Sequence, residues 1–349
     1  MLELPRGVNR NQYTIVHAKI LIRAILCGKI TIRKLWNILR CNIAYFFQIK
    51  KSGASPYMVS IELWNECNAD CVFCRDAKGV IYDVNPKGPG VIEKGRMPTE
   101  MAKDIILQLK DYLVAAVLYT NGEPLMYKDL PEVIRFASEH KVPTIIASNG
   151  ILLDDKRARA ILEAGLDMIK IQLSGFYQET YSVQIRKGNV EQLKENIRNF
   201  ARLTKEGKYG TVVLIDYIYY NYNKHEYPLV KKFCDELGLM LNIRPGNPKH
   251  GLEDKEPPLS AEKLPLAMSC DWLWKGMQVN YNGDVLQCCE AVVWSNPPVY
   301  EKFQTQKSRL MEVWNGPAAT ATRSRMTNQG RGSMEMCAKC LRKGISFKW

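Results

Sequence analysis

No stretch of the 349-residue chain comes near the roughly 18 uninterrupted apolar residues that a membrane-spanning helix needs. The pattern of a cleavable leader is also missing, because charges run through the apolar N-terminal stretch and are not gathered ahead of it. Acidic side chains are scarce at the same end. Residues 1–61 hold ten Lys or Arg against one acid, Glu3, a balance of +9 within a total of +13. The basic character therefore belongs to this segment and not to the body of the chain. No nucleic-acid motif accompanies it. Eleven cysteines in a chain this long do not make a secreted disulfide scaffold, and their grouping reads as metal or cluster ligation in a reducing compartment. A cytoplasmic protein is expected, with the inner face of the membrane as the other place the basic end would suit.

What is present begins with Cys67-Asn68-Ala69-Asp70-Cys71-Val72-Phe73-Cys74, directly after a strand-like run from Met58 to Trp64. Three thiols at C-x3-C-x2-C spacing lack the fourth ligand of a structural zinc site. A four-iron cluster held by three thiolates instead keeps one iron free for another ligand. A zinc site completed from elsewhere, or buried apolar cysteines, are the alternatives.

Around this loop the chain alternates. Strands are expected at 115–119, 144–148, 168–173, 211–219 and 240–244. Helices are expected at 99–109, 129–140, 154–164, 190–203 and 225–237. Counting the strand before Cys67, six βα units imply a parallel sheet, too few for a closed eight-stranded barrel. Chemistry gathers at the carboxyl ends of such strands. There lie Cys67, Tyr119-Thr120-Asn121-Gly122-Glu123-Pro124, Ser148-Asn149-Gly150, Ser174-Gly175 and Arg244-Pro245-Gly246. A loop rich in Gly and Pro runs from Gly79 to Pro98, including Pro86, Gly88, Pro89 and Gly90.

Ahead of the strands, Ile32, Leu35, Trp36, Leu39, Ile43, Phe46 and Phe47 form a helical stripe, and Ile20, Leu21, Ala24 and Ile25 suggest a preceding helix that breaks at Gly28. The stripe suits a helical extension packed on the sheet. It equally suits a helix lying on an anionic membrane surface with its basic side chains snorkelling. After a proline-rich linker, Gly251 to Pro265, the run Met277 to Leu286 alternates around Asn282-Gly283, a hairpin signal that would bring Cys270 and Cys288 together. Cys337-Ala338-Lys339-Cys340 can complete four ligands, with Cys289 a fifth candidate; four-coordinate zinc is the competing use.

The cysteine loop, with an aromatic, Phe73, before its last thiol, resembles the signature of the radical S-adenosylmethionine (radical SAM) superfamily. The resemblance implies a partial (β/α)6 barrel over residues 57–250, an N-terminal extension over 1–56 and a small C-terminal domain over 251–349. It implies a [4Fe-4S] cluster on Cys67, Cys71 and Cys74, with S-adenosylmethionine at the open iron. Asn121-Gly122-Glu123-Pro124 resembles the family's GGEP motif, with Asn121 in place of the first glycine, whose backbone and glutamate hold the methionine amino group. Ser148, Asn149 and Ser174 resemble the polar residues near the cofactor's ribose or carboxylate. Arg186 resembles an Arg-x-Gly element that neutralises that carboxylate.

Cys270-x12-Gly283-x4-Cys288 resembles the opening of a SPASM domain, in its shortened "twitch" form with a second, auxiliary [4Fe-4S] cluster on Cys270, Cys288, Cys337 and Cys340. This ligand spacing is similar to that of the radical SAM dehydrogenase acting on an aminocyclitol. In sulfatase-maturing relatives an acid directly after the hairpin cysteine serves as base. Here Cys289 stands there, leaving Glu290 and Arg244 as catalytic candidates. The implied activity is reductive cleavage of S-adenosylmethionine to a 5′-deoxyadenosyl radical that takes hydrogen from a substrate, with a flavodoxin- or ferredoxin-type electron donor. Oxidation or epimerisation of a sugar, cyclitol or lipid-linked glycan is expected first. Modification of a ribosomally made peptide is the second reading, and a non-enzymatic zinc-binding interaction protein the third.

Overall fold

The structure, a computed structural model, describes residues 21–76, 78–83, 90–246, 265–267 and 269–340. Ile20, Pro86, Gly88, Pro89 and the linker up to residue 264 lie outside them. Six parallel strands form the framework: β1 (Met58–Ile61), β2 (Ala115–Val117), β3 (Thr144–Ser148), β4 (Met168–Leu173), β5 (Val212–Tyr219) and β6 (Met240–Pro245). Neighbours in sequence are neighbours in the sheet, the commonest arrangement for consecutive strands.

Helices α2 (Thr99–Leu109), α3 (Leu130–Glu139), α4 (Asp155–Glu163), α6 (Val190–Glu206) and α7 (Tyr227–Leu237) fill the crossovers, and a short α5 (Gln178–Gln184) follows β4. Caps set several starts. Asp154 accepts the amide of Arg157, and Asn189 that of Gln192. Alternate strand residues, such as Ile169, Ile171 and Leu173 of β4 and Val213, Ile215 and Tyr217 of β5, pack with Leu193, Ile197 and Phe200 of α6 in the main core. Period two then sends Lys170, Gln172, Asp216, Asn242 and Arg244 to the opposite, inner face of the sheet.

The hairpin expected around Asn282-Gly283 forms, as β7 (Gly276–Val279) and β8 (Asp284–Leu286). Gly283 sits at φ +88°, in the left-handed region that favours glycine. The spacing did not foretell the placement of this hairpin. β7 pairs in parallel with β1, in register from Met58–Gly276 to Ile61–Val279, so it extends the six-stranded sheet. With β9 (Val299–Lys302) the sheet reaches nine strands, and helices α8 (Trp272–Lys275), α9 (Leu310–Trp314), α10 (Pro317–Gln329) and α11 (Glu335–Lys339) complete the C-terminal part. The Cys270–Cys340 region is thereby anchored to the same backbone that presents Cys67.

The N-terminal helix α1 (Ile32–Phe46) carries its stripe the other way from packing on the sheet. Lys34, Asn37, Cys41 and Ala44 are buried, while Ile32, Trp36, Phe46 and Phe47 are exposed. Polar bonds fix that rotation. Asn37 exchanges two hydrogen bonds with the Ser55 backbone, and Lys34 donates to the carbonyls of Lys29 and Lys141. Burial pulls the Lys34 ammonium down to about 8. Lys29 lies on Asp167, its Nζ 2.8 and 2.7 Å from the two carboxylate oxygens, and Asp167 also accepts the amide of Thr144 at the start of β3. Asp167→Ala leaves a buried ammonium without its partner and is expected to cost about 3–5 kcal/mol. A lowered midpoint of thermal unfolding checks this; an unchanged midpoint means α1 is held without the pair.

Candidate functional site

At the carboxyl end of β1 the chain turns through the three-cysteine loop, and three other strand ends close on it. Asp70 takes a left-handed conformation, φ 55°, which bends the loop between Cys67 and Cys71. The amide of Val72 donates to the carbonyl of Gln184, and Cys71 bridges Ile185, so the loop is pinned to the segment after α5. Arg186 clamps it from outside. Its guanidinium spans both Asp70 carboxylate oxygens, at 3.0 and 3.3 Å, and donates to the carbonyls of Arg75 and Asp76. Arg75, buried just after Cys74, donates to the carbonyls of Asn65, Gly79 and Asn121.

Thiols and amides then meet. The Cys67 sulfur accepts from the Asn149 side-chain amide at 3.6 Å and from the Ala69 amide at 3.5 Å. Burial raises all three thiols, Cys74 to about 11, and for Cys71 the neighbouring Cys74 and Cys67 add to the shift. The thiols are therefore mutual neighbours that are neutral without a ligand, and metal binding must release their protons.

Glu123 organises the next rim segment. Its carboxylate accepts the Leu125 amide at 3.0 Å, the Ser148 hydroxyl at 2.8 Å and the Asn149 amide at 2.9 Å. Burial pushes this carboxyl up to about 7 while those donors pull the other way. Glu123 thus ties the end of β2 to the end of β3, and sets Asn149 against Cys67. Pro124 opens the single turn Pro124–Met126 that Glu123 caps. Gly122 packs backbone against backbone: a Cβ there would lie 1.9 Å from the Trp64 carbonyl oxygen. Asn121 reaches the C-terminal part, donating to the Val292 carbonyl at 3.2 Å.

The second cysteine group lies where the C-terminal part meets the amino ends of the strands. Cys270 and Cys288 pack both against Trp272, Tyr57 and Met58 and against Trp274 and Met336. Burial pushes Cys270 up to about 12, with Asp271, Cys337 and Cys340 adding to it, and raises Cys288 well above the usual thiol range, beside Cys289, Cys270 and Cys337. Three separated stretches thus bring their thiols within electrostatic reach of one another. Arg331, buried, donates to the carbonyls of Cys337 and Cys340, and Gln287 donates to the Cys337 sulfur at 3.6 Å.

The model of the Radical SAM superfamily matches residues 61–226, and that of SPASM, an iron–sulfur cluster-binding domain, matches residues 270–341. The chain belongs to the radical SAM superfamily. It is a radical SAM enzyme with a C-terminal SPASM-type domain, a kind of domain that binds an iron–sulfur cluster. GTP 3′,8-cyclase of Limosilactobacillus fermentum is 31% identical over 153 residues, 42% of each chain. Fe-coproporphyrin III synthase of Methanosarcina barkeri is 28% identical over 143 residues, 40% of this chain and 33% of that one. The matched part spans less than two thirds of these curated relatives. Among solved structures, Streptococcus suis SuiB bound to precursor peptide SuiA aligns with a TM-score of 0.60 at 15% identity, covering 86% of this chain and 74% of that one. BtrN in complex with AdoMet and 2-DOIA aligns at 0.50 and 19%, covering 82% and 93%. At these identities the likeness is one of fold.

The donor set of this radical SAM chain fits the cofactors of its family, two [4Fe-4S] clusters and S-adenosylmethionine. Cys67, Cys71 and Cys74 stand on one loop, with Asn149 and the Ala69 amide donating to sulfur, the type of contact that tunes a cluster. Phe73 packs beneath the loop with Ile218 and Tyr220. Ser174 is fully buried. Its hydroxyl accepts from Gln172 and its carbonyl from Asn223 and Gln184, which places it in the support of the rim. Arg186 is likewise engaged by the loop. Arg244 lies on the inner face, and Glu290 in the turn Cys289–Val293 that Asn121 touches through Val292. Gly122→Ala forces the loops after β1 and β2 apart, an overpacking of about 1–3 kcal/mol. Cleavage of S-adenosylmethionine is expected to fall at least about tenfold, read as 5′-deoxyadenosine formed; near-normal cleavage means the two loops need not touch.

Sequence reasoning passed over several residues. Glu62, at the end of β1, is fully buried. Burial pushes its carboxyl up to about 7, against the opposing pull of the nearby Tyr281 and Asn121 amides. Asp216, also buried, accepts from Arg244 at 2.7 Å and from Asn242, with Lys170 at 3.7 Å. Burial alone would raise this carboxyl; Arg244 and Lys170 outweigh it and hold it below the usual range. Lys170 also stands over the Tyr119 ring, 5.9 Å from its centroid. The signal was present as a lone charge inside each apolar run, Met168-Ile169-Lys170-Ile171 and Leu214-Ile215-Asp216-Tyr217.

Proposed function

We propose that the chain oxidises or epimerises a sugar, a cyclitol or the sugar head of a lipid-linked glycan held against the inner face of the sheet. One observation carries this reading: a row of polar side chains crosses that face of the sheet. Gln278 donates to the Thr120 hydroxyl, which lies 3.4 Å from that of Ser60. Beyond Tyr119 come Lys170, Asp216, Asn242 and Arg244. Ionised and amide groups inside a sheet are costly unless they meet polar partners. Here these groups partner one another, and the hydroxyl groups of a polyol can join that network at many positions while Tyr119 offers a ring face. Bound at the Cys67–Cys74 loop, the cluster and S-adenosylmethionine supply a 5′-deoxyadenosyl radical able to take a hydrogen atom. Asp216 and Arg244 would hold the substrate hydroxyls, and Lys170 and Glu290 are the groups proposed to move a proton. A flavodoxin- or ferredoxin-type donor, and a division of the chain near residues 56 and 250, belong to the same reading.

The test is anaerobic incubation of the reconstituted protein with deuterated sugars, cyclitols and peptides. Deuterium is expected in 5′-deoxyadenosine from a polyol and not from peptides; the reverse result sinks the reading. Asp216→Asn is expected to lower that transfer by about tenfold or more while cleavage without substrate stays within about twofold.

A further inference from the structure

We propose that the outward face of residues 22–47 docks the chain on an anionic lipid bilayer. The helix α1 is amphipathic but set with its apolar side to solvent. Ile32 is 86% exposed, Trp36 60%, Phe46 78% and Phe47 68%, and Leu26, from the helical turn at 21–26, is 81% exposed. A helix free to rotate would turn this stripe inward. The bonds of Lys34 and Asn37 to backbone groups, and the Cys41 thiol on the Ser55 carbonyl, hold it out. Monomers rarely leave so continuous an apolar surface in water, and such patches mark interaction sites.

Charge identifies the occupant. Residues 21–61 contain seven Lys or Arg and no acid. Arg33, Arg40, Lys50 and Lys51 are exposed along and just beyond the helix. A second copy of this face would bring cation against cation. An acidic headgroup layer meets the basic rim, while the acyl boundary receives Trp36, Phe46 and Phe47, as for other interfacial helices. Among the described residues no helix is long and apolar enough to cross a membrane, so this segment lies on the surface.

The placement has a consequence for the site. Through Lys34 and Lys29, α1 is bound to Lys141 and Asp167, which precede β3 and β4. It therefore runs under the amino ends of the strands, and the rim with Cys67 is at the opposite ends. A bilayer beneath α1 leaves that rim facing water, so an electron donor reaches it from the aqueous side, and of the proposed substrates a free sugar or cyclitol suits it better than a glycan anchored in that same bilayer.

The cluster-reconstituted full chain is floated with vesicles of phosphatidylglycerol and phosphatidylcholine, and with vesicles of phosphatidylcholine alone. Co-flotation with the anionic vesicles is expected, at least tenfold weaker with the neutral ones and weakened by added salt. The triple substitution Trp36→Glu, Phe46→Glu and Phe47→Glu is expected to lower the bound fraction at least tenfold with an unchanged thermal midpoint, because these side chains are exposed. Should that variant not fold, hydrogen exchange of the unaltered chain decides: protection of residues 21–47 on adding anionic vesicles supports the proposal, and none overturns it. Binding to neither vesicle type also overturns it. So does a dimer that the same substitutions dissociate.

Discussion

Replacing Cys67, Cys71 or Cys74 by Ala is expected to abolish formation of 5′-deoxyadenosine while leaving the protein folded. The loop does not depend on the thiols for its shape. It is held by the Val72 amide on Gln184, by Arg75 on three carbonyls, and by Arg186 across Asp70. Each sulfur is instead proposed as a ligand, and the three are close enough that Cys74 and Cys67 raise the Cys71 thiol and Cys67 raises that of Cys74. Loss of one leaves two thiolates, too few for the cluster that presents an open iron to S-adenosylmethionine. Iron and sulfide per chain should fall by about half if the second group keeps its cluster, and the thermal midpoint of the ligand-free protein should hold. Substantial cleavage by any of the three variants would remove the loop from the chemistry.

That prediction could be written from the sequence alone, because contiguous spacing carries it. The α/β alternation was legible for the same reason. Helix 99–109 and strands 144–148 and 168–173 coincide with α2, β3 and β4, since each has a clear apolar period bounded by a turn or cap. Less was legible where the partner is distant in sequence. Nothing local in Gly276–Val279 says that it pairs with β1, more than 200 residues earlier. The short α5 has too few apolar positions to show a period, yet it supplies the Gln184 carbonyl that pins the cysteine loop.

Motif residues were found more readily than their contacts. Glu123 and Asn149 stand out as motif positions, but only the structure shows the carboxylate reaching from β2 to the amide of Asn149, whose side chain in turn touches Cys67. Arg186 stands out as an arginine before a glycine element. Its engagement by Asp70 depends on the left-handed turn at that residue, which no composition rule foretells. The α1 stripe was visible as a stripe. Its outward direction follows from Lys34 and Asn37, polar residues on the face that the strands require.

Cys337→Ala and Cys340→Ala are expected to separate two events that the loop substitutions remove together. Both thiols lie in the C-terminal part, where Cys337 meets Gln287, Arg331 and Cys340. Their backbone is held independently by Arg331, which donates to both carbonyls, so the local fold should survive loss of a thiol. Cleavage of S-adenosylmethionine should therefore persist within about an order of magnitude. Turnover of the substrate should not, if the second group takes an electron from the substrate or positions it. The coupling runs through contacts already in place. Asn121, next to Gly122, reaches the turn after Cys288 through Val292, and β7 joins β1 strand to strand. The decisive quantity is the ratio of 5′-deoxyadenosine to product, near one in the unaltered chain and rising steeply in the variants. A ratio that stays near one with full turnover would show that the second cysteine group only braces the fold.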